Sequence, residues 1–256
     1  MLRLVLVATA LLFFFGSATA AEKIDLQEVL QTLESPFRPL EQGIKGERIN
    51  DFQAEFLQES HIAAIDRTQH GSGTVSFKFI QQGKNAKGAM FRWEYLKPEA
   101  QEIVSDGRTM WFYLPENKQV IKSDMSRLEQ QQGENPVTFL SGLGNLGRDF
   151  SVAWAVPDHD LDGNPILSLQ PRKKSQFIDR LEVVVAQGAV ADYVERKKAG
   201  ELFPIVSTTV VDPNGNLTTI IFQKAIMNRE PDAETFQFVP AEGVEVVHSS
   251  AQGVGY

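Results

Sequence analysis

The sequence contains no cysteine. This absence excludes disulfide bonds, thiolate nucleophiles and cysteine-ligated metals, and also the acylated cysteine through which a bacterial lipoprotein is anchored. None of the four histidines is paired at the spacing of a metal-binding helix. The sequence also has no G-x-S-x-G motif, no phosphate-binding loop and no dinucleotide fingerprint. We therefore predict no cofactor, no metal and no catalytic residues, and the sequence favours binding over catalysis.

One acidic cluster needs separate consideration, because Asp158, Asp160 and Asp162 surround His159. The cluster precedes Gly163 and lacks the downstream glutamate of a calcium-binding loop. We interpret it as a solvated hairpin turn rather than a calcium or zinc site.

Long apolar runs are absent after the first twenty residues. Arg3 gives a positive start, Leu4–Phe15 is apolar, and Ala18–Ala20 supplies small residues for signal peptidase. We predict a signal peptide over residues 1–20 that is cleaved after Ala20; a retained anchor is the alternative. Removing the +1 of Arg3 changes the formal net charge from −8 to −9. This acidic balance disfavours nucleic acid and stable docking on anionic membranes.

The remaining chain has no linker or repeat, which predicts a single domain over residues 21–248 and a disordered tail over 249–256. Apolar residues at helical spacing predict a short helix over Asp25–Glu34 and a second over Ile49–Leu57. From Gly73 onward the apolar period is two, which predicts strands. The predicted strands cover residues 75–79, 91–95, 103–104, 109–114, 119–122, 150–156, 165–170, 179–185, 204–211, 217–224 and 236–240. Short strands separated by turns indicate one antiparallel sheet, sandwich or barrel.

The segment between Met125 and Asp149 interrupts this pattern. Asn135 and Pro136 favour the start of a helix, and Phe139, Leu140, Leu143 and Leu146 would form its apolar face. Three glycines weaken that helix by about 1 kcal/mol each. The segment is therefore either a movable cover or an ordinary crossover helix that packs on the sheet.

A second unusual segment is 110–114, which is apolar at every position. A half-exposed antiparallel strand alternates with polar residues, so both faces of this strand need cover. Another layer of the same chain, a partner or a ligand could supply that cover.

The order of these motifs resembles the outer membrane lipoprotein carrier (LolA) family. The resemblance is carried by four blocks of the sequence, at residues 52–58, 91–113, 135–150 and 236–246. It implies a mostly β fold with short helices, in which an incomplete antiparallel β-barrel is covered by a helical lid. It also implies a monomeric periplasmic chaperone that takes acylated lipoproteins from an inner-membrane ABC releasing complex and passes them to an outer-membrane receptor lipoprotein.

The resemblance also implies which residues contact acyl chains. By position they are Leu30, Phe77, Phe79, Phe91, Trp93, Met110, Phe112, Leu114, Phe139, Leu140 and Leu143. For Phe77, Phe79, Met110, Phe112 and Leu114 an ordinary place in the core is the alternative. Lys87 stands where well-known members have an arginine that holds the empty lid shut, which puts that control in doubt. A free-lipid shuttle or a lipoprotein sensor on the same fold are the alternative functions.

Overall fold

The computed structural model describes residues 24–38, 48–80, 89–126, 140–196 and 202–248. In these ranges the strands form one twelve-stranded sheet, in the order β12-β6-β5-β4-β3-β2-β1-β11-β10-β9-β8-β7. The strands are β1 (Asp51–Ile62), β2 (Arg67–Phe79), β3 (Ala89–Lys97), β4 (Gln101–Ser105), β5 (Thr109–Leu114), β6 (Gln119–Asp124), β7 (Phe150–His159), β8 (Pro165–Pro171), β9 (Arg180–Val185), β10 (Ile205–Val211), β11 (Leu217–Met227) and β12 (Glu245–His248). In this part of the chain no pairing joins β12 to β7, so the sheet is open.

Short helices lie against this sheet. The α-helices are α1 (Leu26–Glu34), α2 (Leu146–Asp149) and α3 (Gln187–Arg196), and the 3-10 helices are Ser35–Phe37, Ala63–Ile65, Leu140–Asn145 and Ala233–Phe236. The predicted mostly β fold, with an open sheet and short helices, is confirmed. Among the described residues, no helix has both the length and the apolar character needed to cross a bilayer.

Two of the sequence predictions for secondary structure are wrong. The predicted helix over 49–57 is part of β1, which pairs with β2 on one side and with β11 on the other. Phe52, Ala54 and Phe56 all point to one face of that strand, so the apolar residues also fit a period of two. The segment forms a strand because its backbone N–H and C=O groups can pair with two neighbouring strands.

The predicted strand over 236–240 is also wrong. Phe236 ends a 3-10 helix with its side chain fully buried, and residues 237–240 join no ladder. The last strand is β12, which pairs with β6 in parallel. Parallel pairing is possible because five intervening strands, β7–β11, supply the long connection that it needs.

One face of the sheet, here called the inward face, carries two mostly apolar rows that cross six strands. Because directly paired residues share a face, each row can be traced from the strand register. The first row is Phe52, Phe77, Phe91, Ser105, Met110 and Ser123. The second row is Ala54, Val75, Trp93, Ile103, Phe112 and Ile121.

The opposite, outward face of β3–β6 is covered by the C-terminal part of the same chain. The ring of Phe238 lies 6.4 Å from that of Trp111 and 5.3 Å from that of Tyr113. Arg92 pairs with Glu102 at 2.5 Å, and its Nη1 donates to the Thr235 carbonyl at 3.5 Å. The cover that residues 110–114 need on this face therefore comes from the chain itself.

Gly73 is required where β2 approaches β3. A Cβ at this position would lie 1.9 Å from the carbonyl oxygen of Glu94 and 2.8 Å from its carbonyl carbon. Both atoms belong to the backbone, so they can move away only if the β2–β3 pairing shifts.

We expect Gly73→Ala to lower the free energy of unfolding by about 1–3 kcal/mol, measured by urea denaturation. Gly142→Ala is the matched control, because a Cβ there would meet nothing within 4 Å. Its effect should stay within about 0.5 kcal/mol. Equal stability of the two variants would show that the close approach of β2 to β3 is not a constraint.

Candidate functional site

The inward face brings together most of the residues that the sequence predicts as acyl-chain contacts. The fully or nearly fully buried ones are Leu30, Phe77, Phe91, Trp93, Met110, Phe112, Leu140 and Leu143. All of them belong to one continuous apolar cluster, and the half-buried Phe79 and Leu114 pack against it. Phe139 and Lys87 lie outside the described residues. Contact of these residues with an acyl chain stays a prediction.

Aromatic rings form the centre of this cluster. The ring of Phe77 stacks on those of Phe52 and Phe91, with centroids 5.5 and 5.3 Å apart. The ring of Phe56 meets Trp93 edge-on at 5.0 Å. Such pairs add about 0.5–1.5 kcal/mol each beyond the area they bury.

The sequence prediction misses several rings of the site. Phe52 and Phe56 were assigned to a helix, although their alternation with polar residues was a usable sign of a strand. Phe203 and Phe222 lie far along the chain, yet their centroids are 4.7 and 6.2 Å from that of Phe52. No local pattern places them there.

Helical segments bury the inward face. Val29 and Leu33 of α1 are fully buried in the cluster, and Phe37, just after α1, has its ring centroid 5.0 Å from that of Phe79. Residues 140–149, here called the cover segment, add Leu143 and Leu146. In the structure the cover segment is a 3-10 helix followed by one α-helical turn. Its apolar packing fits both a movable cover and an ordinary crossover helix. The predicted helix start at Asn135 and Pro136 lies outside the described residues.

The ion pair between the buried Glu34 and the partly exposed Arg38 is hydrogen-bonded to the backbone of the cover segment. The carboxylate of Glu34, at the end of α1, accepts a hydrogen bond from the backbone N–H of Gly147 at 2.7 Å. Arg38 pairs with the other oxygen of Glu34. Its Nε donates to the carbonyl oxygen of Gly144 at 3.0 Å. The Glu34–Arg38 pair therefore holds both backbone groups of the cover segment at once.

Burial raises the pKa of the Glu34 carboxyl, while the Gly147 N–H and the Arg38 guanidinium act in the opposite direction. The Leu146 N–H and Arg148 also favour the charged form. Glu34 is 1% exposed, so desolvation is the larger effect.

Gly144 lets the cover segment approach α1 this closely. A Cβ at this position would lie 3.0 Å from the carbonyl oxygen of Phe37 and 3.2 Å from its carbonyl carbon. Gly144 disfavours a helix, but its lack of a side chain allows its backbone to pack against that of Phe37.

The acidic cluster at 158–162 forms a turn, as predicted. Oδ1 of Asp160 accepts hydrogen bonds from the backbone N–H groups of Asp162 and Asn164, at 3.0 and 2.8 Å. In the described part of the chain no group of three or more histidine, aspartate or glutamate side chains is arranged to hold a metal.

The sequence of this chain is similar to those of known proteins. The family model described as "Outer membrane lipoprotein carrier protein LolA" matches residues 47–239. An outer-membrane lipoprotein carrier protein of Azotobacter vinelandii is 27% identical over 244 residues, covering 95% of this chain and 97% of the relative. One from Chromobacterium violaceum is 28% identical over 203 residues, covering 74% of this chain and 88% of the relative.

Among solved structures, a LolA superfamily protein from Nitrosomonas europaea is similar at 14% identity and a TM-score of 0.37. That similarity covers 83% of this chain and 97% of the other.

We expect Arg38→Met to loosen the cover segment. The change keeps the apolar stem but removes the guanidinium that contacts Gly144 and Glu34. Loss of about 1–2 kcal/mol of hydrogen bonding should speed amide exchange in residues 140–149 about tenfold, measured by hydrogen–deuterium exchange.

Arg92→Met is the matched control for this experiment, because Arg92 contacts the C-terminal part of the chain on the outward face. It should speed exchange around residues 233–238 and leave 140–149 unchanged. Unaltered exchange of 140–149 in Arg38→Met would contradict the role of the ion pair.

We expect Glu34→Gln to alter how stability depends on pH. Because the folded-state pKa of Glu34 is raised, the folded protein holds the proton more tightly than the unfolded chain. The stability of the wild type relative to Glu34→Gln should therefore increase as pH falls through the folded-state pKa towards the ordinary value of 4.5. Urea unfolding of both proteins across this range measures the trend, and an increase towards higher pH would contradict it.

Proposed function

The chain belongs to the LolA family of outer membrane lipoprotein carrier proteins, and from this membership we propose that it shields the acyl chains of lipoproteins on its inward face. The observation that carries the proposal is the apolar inward face of β1–β6, which forms one buried cluster with residues of α1 and the cover segment. The second row carries apolar side chains on all six strands, from Ala54 on β1 to Ile121 on β6.

The energetics explain why such a surface is needed. Lipoprotein acyl chains contain on the order of 40 methylenes at about 0.8 kcal/mol each, so their exposure to water costs roughly 30 kcal/mol. The carrier need not bind with that free energy. Because chains move from one apolar environment to another, only the difference between the two decides the direction of transfer.

Access to the inward face requires the helical cover to move. We propose that α1 and the cover segment separate when cargo enters and close when it leaves. Closure when empty keeps the aromatic rows away from water, where exposed apolar patches of this size promote aggregation. The Glu34–Arg38 pair then controls opening in this chain, since it links the two parts that separate.

The route of the cargo follows from the same proposal. The leader over residues 1–20 directs the chain to the periplasm and is cleaved after Ala20. The monomeric carrier receives lipoproteins from an inner-membrane ABC complex and delivers them to an outer-membrane receptor lipoprotein. It catalyses no reaction, so each step is an exchange of binding partners.

Native mass spectrometry tests the proposal. The mature protein is incubated with lipoprotein-loaded inner-membrane vesicles, the ABC complex and ATP. We expect a soluble one-to-one complex with an acylated lipoprotein, and Leu140→Asn should reduce its yield at least tenfold because a polar group replaces buried hydrocarbon.

The matched control is Leu57→Asn, because Leu57 lies on the outward side of β1 and is 42% exposed. It should leave the yield of the complex unchanged. Thermal unfolding of both variants separates loss of binding from loss of folding. Recovery of free lipid alone would favour a lipid shuttle, and recovery of neither species would contradict the carrier proposal.

A further inference from the structure

Trp93 has a buried hydrogen-bond donor that the apolar cluster does not satisfy. The residue is 2% exposed, and its Nε1 has no hydrogen-bond partner within the described residues. Buried tryptophan N–H groups usually find an acceptor, because an unpaired one has lost its contact with water without compensation. An orphaned donor at this place in the core therefore needs an explanation.

The neighbours of Trp93 cannot supply the acceptor. In its row the paired residues are Val75 on β2 and Ile103 on β4, which offer only hydrocarbon side chains. The ring of Phe56 packs against it edge-on at 5.0 Å. The indole N–H is thus held in a part of the inward face that is suited to hydrocarbon.

Trp93 lies next to polar residues on the same face of the sheet. Two residues further on, Tyr95 lies on the same face, half-buried, and its hydroxyl donates to Gln58 Oε1 at 2.7 Å. Gln101, which pairs with Tyr95, is also half-buried. Because one pair of residues spans about 6.6 Å of strand, Trp93 lies where the apolar rows give way to this polar rim.

We propose that the indole N–H of Trp93 donates a hydrogen bond to a carbonyl oxygen of the acyl linkages in the cargo. This inference rests on the proposed carrier function. It adds a preference for chains that carry a carbonyl group over plain hydrocarbon. A hydrocarbon chain has no acceptor, whereas the ester carbonyls stand at the end of each chain, where hydrocarbon meets the polar remainder of the lipid. That boundary matches the boundary between the Trp93 row and the rim.

Paired lipids that differ only in the linkage test the inference. The probes are a synthetic lipopeptide with two ester-linked sixteen-carbon chains and its analogue with ether-linked chains. We expect the wild type to bind the ester form about two- to tenfold more tightly, the range of one net hydrogen bond. Trp93→Phe keeps an aromatic ring but lacks the N–H, and it should bind both lipids with equal affinity.

Nuclear magnetic resonance provides a readout that does not depend on the variant. The protein has three tryptophans, and the Trp93 indole resonance is assigned by its loss in Trp93→Phe. We expect this resonance to move downfield when the ester lipopeptide binds and to stay in place with the ether analogue. The resonances of Trp111 and Trp154 are internal controls.

The outcomes separate this inference from the carrier proposal. Equal binding of both lipids with no indole shift would overturn the hydrogen bond and leave the carrier function standing. An indole that is already hydrogen-bonded without lipid, and unchanged by it, would show that water satisfies the donor, which also overturns the inference. Failure of the wild type to bind either lipopeptide would contradict the carrier proposal itself.

Discussion

Exclusion of water from the inward face is the constraint on which the rest of the structure depends. Phe52, Phe77 and Phe91 form a stacked aromatic row that is fully buried. Part of its cover comes from the rings of Phe203 and Phe222, and part from α1 and the cover segment. Their own apolar residues merge with the sheet in one cluster. The carrier function that we propose uses the same surface, because whatever replaces the helices there must also be hydrocarbon.

Two groups of polar side chains lie where the apolar surface ends. Glu34 and Arg38 join the end of α1 to the backbone of the cover segment, and Gln58 and Tyr95 form a rim beyond the second row. Of this pair only Glu34 is buried, so removing Arg38 would leave a buried carboxylate without its charged partner, which is costly. Such a pair suits a contact between two parts that must be either fully closed or fully apart.

The sequence predicts the local features well and the distant ones poorly. Alternation identifies β3 and the second half of β2, and helical spacing identifies α1, because each pattern lies within one element. Spacing misidentifies β1, because residues 52 and 56 fit a helical period and a strand period equally well. Only the pairing of β1 with β2 and β11 distinguishes the two. No local pattern could reveal that Glu34 meets Gly147 or that Phe238 covers Trp111, since these contacts join distant parts of the chain. The C-terminal strand was misplaced for the same reason, because Phe236 is used for burial and not for pairing.

The pairing of β1 with β11 has a consequence for the order of folding. Phe52 lies opposite Met227, so the middle of the sheet is completed by nearly the last strand in the chain. Closing such a distant contact is slow compared with forming hairpins such as β1–β2, because the intervening chain must first be brought together. A chain that emerges from its amino terminus therefore cannot finish the aromatic surface until residues beyond 217 have followed. The aromatic residues of β1–β3 come early in the chain, so their packing is incomplete until Phe203 and Phe222 have been added.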